Sequence, residues 1–164
     1  MALRGIFRPG MRTYFVPLAA GIVLALSAFL PWVIVDDTAL NGVPDVAALW
    51  VAGLGTLAAV LALLSLITRK NSRHPLLLIG LISLGIMFLS WRIMPRAAGE
   101  RALTRSQAYA IVEDAPMRHT PDALAGTGIY IGLAASAVLV AFGLTIVVRR
   151  VKRPYVAADP DDDV

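Results

Sequence analysis

Four long apolar runs, separated by short polar stretches, set the plan of the chain. They cover Tyr14–Val35, Val46–Thr68, Pro75–Met94 and Thr127–Val148, with 22, 23, 20 and 22 residues. As helices rising about 1.5 Å per residue, each reaches the ~30 Å thickness of a hydrocarbon core. No charge lies at the centre of any run. Arg92 falls two residues from the end of the third, where it can snorkel to the headgroups. The pattern predicts an all-α membrane protein, a four-transmembrane-helix bundle of up-down topology.

The connections add detail. Ten residues, Asp36–Asp45, join the first two runs as a helical hairpin. Asn41-Gly42 offers a tight turn tolerant of positive φ, and Pro44 and Asp45 suit the first turn of the second helix. Pro31 is expected to kink the end of the first helix. The loop 95–120 is the longest. Within it, Thr104-x-x-Gln107 reads as a capping box with Leu103 as its staple. That predicts a short extracytoplasmic helix over Arg105–Asp114, stopped by Pro116. Thr120-Pro121-Asp122 reads as a second helix start, so the fourth span is expected from about 121 to 148. Residues 1–153 form the transmembrane domain. Residues 154–164 form an acidic cytoplasmic tail, too polar and Pro-broken to fold.

Charge orients the plan. Ten Lys and Arg residues fall on one side, at both termini and around Arg69-Lys70-Arg73. Five fall on the other: Arg92, Arg96, Arg101, Arg105 and Arg118. Positive-inside logic therefore puts both termini in the cytoplasm. The first run could pass for a signal peptide, with Leu26-Ser27-Ala28 near a cleavage position. It continues to Val35, however, which is too long for such a segment. The bias of 13 Arg to 2 Lys, with abundant Ala, goes with bacterial sequences and hence an inner-membrane location.

Composition mainly narrows the chemistry. A chain that is 58% hydrophobic, with a mean hydropathy of +0.74, belongs in lipid. It has no cysteine, which removes disulfides, thiolate metal sites and thiol nucleophiles. His74 and His119 are expected on opposite sides of the membrane and so share no metal; Met117 beside His119 is a weak copper motif. Asp36-Asp37 and Glu113-Asp114 are sequence neighbours, not positioned acid–base pairs. The spans carry no mid-depth ionisable group for proton relay. No catalytic residue, cofactor or metal is expected, nor any nucleic-acid partner.

Two constellations remain. Trp32, Trp50, Trp91 and Tyr130, one per helix, fall near the outer interface. They form either an aromatic belt or, with Arg92, an outer vestibule for a lipid headgroup or small ligand. Gly128-x-x-x-Gly132-x-x-x-Ser136 makes a small-residue strip suited to close helix packing, within the bundle or against another membrane protein. Similar strips are Ala48-x-x-x-Ala52-x-x-x-Thr56 and Gly21-x-x-x-Ala25.

The Leu30-Pro31-Trp32 end of the first run resembles a large set of small bacterial four-span proteins. Trp32 with Leu49-Trp50 more distantly resembles the claudin-like superfamily. That resemblance implies a long outer β-sheet with a cysteine pair, where this chain has ten residues and no cysteine. The functional expectation is a non-catalytic accessory or scaffolding subunit that contacts the bilayer and another integral membrane protein. The alternatives are a lipid- or small-ligand-binding protein or minor permease using the vestibule, and a self-associating, homo-oligomeric pore.

Overall fold

The computed structural model describes residues 12–68, 73–113 and 122–151. The acidic tail, the basic loop around Lys70, Pro116, Met117, His119 and Thr120-Pro121 all lie outside them. Four helices dominate, α1 (Phe15–Ser27), α2 (Val46–Thr68), α3 (Arg73–Val112) and α4 (Thr127–Val151). Helix accounts for 80% of the structure, so the expected helical class holds. Three of the four, α2, α3 and α4, are long and apolar enough to cross a membrane. Large apolar side chains such as Leu63, Ile67, Leu78, Leu81 and Ile82 face outward, as they do where the solvent is lipid.

The first span is the main correction. Its helix is 13 residues, about 20 Å, and stops at Ser27. Pro31–Val35 is a strand, β1, which turns back into β2 (Thr38–Asn41). The apolar run had read as continuous helix, but Pro31 followed by β-branched Val33, Ile34 and Val35 fits a pleated strand better than a helical turn. Pro31 thus begins a strand instead of kinking a helix. The tight turn is at Asp36-Asp37, where Asp36 adopts φ 50°, and not at Asn41-Gly42, where no glycine has positive φ. Asp45 is the cap of α2, its Oδ1 accepting the Ala47 N–H at 3.0 Å, and Pro44 lies just before it.

A third strand, β3 (Ala123–Ala125), precedes α4 and pairs antiparallel with β1, giving the order β2-β1-β3. The stretch Asp36–Asp45, expected as a bare helical hairpin, therefore contributes to a sheet of three short strands. The start of α4 at Thr127 replaces the start expected near Pro121.

α3 is the second correction. It runs for 40 residues, roughly 60 Å, straight through Pro95. The separate short helix does not exist; its residues up to Val112 continue α3. Thr104 is inside the helix, with its Oγ1 donating to the Glu100 carbonyl at 2.9 Å, so it caps nothing.

Small residues set the helix contacts. A Cβ on Gly55 would stand 2.5 Å from Ala25 N, and one on Gly21 would stand 2.7 Å from Ala59 N. Backbone therefore meets backbone along the α1–α2 seam, and the pairing of 21 with 59 and 25 with 55 makes the two helices antiparallel. Between α3 and α4, Gly143 faces Leu77, Gly80 faces Leu139 and Val140, and Gly132 faces Met87, again antiparallel. α1 also packs on α4, closing the bundle.

Candidate functional site

The sheet end is built around the abrupt stop of α1. Helix ends leave carbonyls without intrahelical donors, and in lipid these need partners. Here the Trp32 Nε1–H donates to the Ser27 carbonyl at 2.9 Å. The Val43 and Gly42 N–H groups donate to the carbonyls of Ala28 and Leu30 at 2.9 and 3.1 Å. Gly126 N–H donates to the Trp32 carbonyl at 2.7 Å. The hairpin thus satisfies the helix end that it follows. Gly42 and Gly128 are required here, since a Cβ on either would stand 2.7 Å from the Trp32 ring.

None of the clefts described below takes in more than one of the four aromatics. Trp32 is core, 1% exposed, whereas Trp50 is 63%, Trp91 36% and Tyr130 54% exposed, on outward surfaces of three different helices. The Arg92 guanidinium lies 6.0 Å from the Trp91 ring centroid, and Phe88 tilts against the same ring at 5.9 Å. Arg92 therefore sits beside an exposed ring and lines none of the clefts described here. The Gly128/Gly132/Ser136 strip is taken up inside the molecule. Gly128 abuts Trp32 and Pro31, Gly132 abuts Met87 and Ser27, and the buried Ser136 donates to Leu133 O at 2.9 Å. Of the buried side-chain polar atoms among the described residues, Ser83 Oγ lacks a hydrogen-bond partner. No group of three or more metal-ligating side chains occurs among the described residues.

What the fold does assemble is a cleft of about 230 Å³ between the hairpin and α3. Trp32 and Val33 form its floor. Leu40, Asn41 and Asp45 form one wall, and Ile93, Met94, Ala97, Ala98 and Arg101 form the other. The two alanines leave the space, and the charged groups flank it. A wider groove of about 690 Å³ continues along α3, sharing Ala97 and Arg101 and extending to Thr104, Arg105 and Ala108. A third, apolar groove of about 380 Å³ runs down the outward face of α2 from Val46 past Trp50 and Gly53 to Leu57.

Asn41 and Arg101 are not among the site residues expected from the sequence. Their signal was faint. Met94, Ala97, Ala98 and Arg101 have the i, i+3, i+4, i+7 spacing of one helical face, but only if α3 continues through Pro95. No protein-family model, curated protein or solved structure matches this chain.

Proposed function

We propose that this chain is a non-catalytic polytopic protein of the bacterial inner membrane, with four antiparallel membrane segments and both termini cytoplasmic, serving as an accessory or scaffolding subunit. The observation that carries this reading is α3. Its last turns run past the sheet end and leave Arg105, Tyr109, Ile111 and Val112 exposed along a rod of continuous helix. Such a rod suits contact with a partner outside the lipid.

The test is photo-crosslinking from Tyr109 and Ile111 at native expression, followed by mass spectrometry. A single stoichiometric membrane partner is the expected result; crosslinks to lipid alone would sink the reading. Orientation is checked separately. Thr38→Cys and Gln107→Cys label from outside intact cells, and His74→Cys labels only after permeabilisation.

A second reading, ligand binding at the sheet end, is favoured by the cleft between Asp45 and Arg101. It replaces the aromatic vestibule as the place where binding would occur.

A further inference from the structure

Resting on that second reading, we propose that the cleft holds the phosphoethanolamine headgroup of a bilayer lipid. The phosphate lies on Arg101 and the ammonium on Asp45. The acyl chain lies along the Val46–Leu57 groove of α2.

The charges come first. Asp45 and Arg101 line opposite walls of one cleft, and no ion pair joins them among the described residues. A zwitterion of matching polarity complements both. Arg presents a donor fork suited to phosphate, and a carboxylate accepts hydrogen bonds from a primary ammonium. Asn41 adds a neutral donor and acceptor on the same wall as Asp45. A quaternary ammonium would look for exposed aromatic faces. The cleft's own ring, Trp32, is only 1% exposed.

Depth comes second. Trp50 follows Asp45 by little more than one turn of α2, and Trp91 precedes Met94 and Ala97 on α3. Both rings are exposed, as interfacial tryptophans are. The cleft therefore sits just beyond the ring level, in the headgroup layer. Helical side chains lean toward the N-terminus of their helix. Arg101 accordingly leans back toward Ala97 and the bilayer.

The apolar rim comes third. Leu40 and Ile93, which line the cleft, are exposed. Val46, which heads the α2 groove, follows Asp45 directly in sequence. A Cβ on Gly53 would meet nothing within 4 Å, so no protein atom fills that notch. From Val46 to Leu57 the groove runs about 16 Å, close to one leaflet of a ~30 Å hydrocarbon core.

The experiment is native mass spectrometry of the full chain in detergent, titrated with phosphatidylethanolamine, phosphatidylcholine and phosphatidylglycerol of identical acyl chains. The ethanolamine lipid should be retained best. Arg101→Gln should lower its occupancy at least tenfold. Asp45→Asn should remove the preference for ethanolamine while keeping the α2 cap, because Asn caps as well as Asp. Gly53→Phe should weaken the lipid and leave binding of soluble O-phosphoethanolamine unchanged.

Equal binding of all three lipids, or binding indifferent to Arg101→Gln, overturns both the proposal and the ligand-binding reading. Arg101-dependent binding that favours the glycerol lipid overturns the ethanolamine assignment and leaves the ligand-binding reading standing. Soluble O-phosphoethanolamine displacing the lipid at equal concentration assigns the same chemistry to a soluble ligand and overturns the lipid source.

Discussion

Gly53 and Gly55 lie two residues apart on α2 and meet opposite surroundings. Gly55 is pressed against Ala25 of α1, with no space for a methyl group, whereas Gly53 opens onto an unfilled groove. The tryptophans divide the same way: Trp32 is sealed under the sheet, and Trp50 stands outside. α2 is apolar on every side, so hydrophobic periodicity marks neither face. What separates the faces is the size of the residue at the point of closest approach, which becomes visible only when both helices are in place. In lipid, close backbone contact takes the part that water exclusion plays in soluble cores.

The comparison can be broken by substitutions, all read as unfolding free energy in mild detergent. Trp32→Ala is expected to have the largest effect, a loss of about 3 kcal/mol or more from the void and the exposed Ser27 carbonyl. Trp50→Ala should change stability by less than about 0.5 kcal/mol. Gly55→Leu comes next, at about 1–3 kcal/mol, because the α1–α2 seam has to part. Gly53→Leu, two positions away, should be neutral within about 0.5 kcal/mol; a matching loss would mean that the outward groove is itself a packed seam. Ser83→Ala should have the smallest effect, within about 0.5 kcal/mol of zero, since the buried hydroxyl it removes has no hydrogen-bond partner to lose.

The parts of the fold legible in the sequence were those governed by length and hydropathy. Val46–Thr68 appears as one helix with those bounds. The failures occurred where length and hydropathy agree with more than one structure. Trp32 to Val35 is apolar enough for a span, yet its β-branched residues and the proline before them make a strand. Pro95 looked like a helix end, yet the helix absorbs it. Thr104 had the composition of a cap, and its hydroxyl instead bonds back to Glu100 within the helix. The cleft was illegible for the same reason. Asp45 and Arg101 are 56 positions apart, and only the hairpin and the continued α3 set them face to face.

The order of the three strands has a consequence for synthesis. β1 is the middle strand, and its neighbour β3 belongs to the far end of the chain; Asp36 and Asp122, which bond to each other beside that ladder, are 86 positions apart. While the chain is being made, β1 can pair with β2 at once, but its other edge stays open until α2 and α3 have emerged. α1 with α2 and α3 with α4 make the two most extensive helix pairs, and the β1–β3 ladder is a clasp that, with the α1–α4 packing, joins one pair to the other. Two separately translated halves, divided in the loop between α2 and α3, would carry one side of that clasp each.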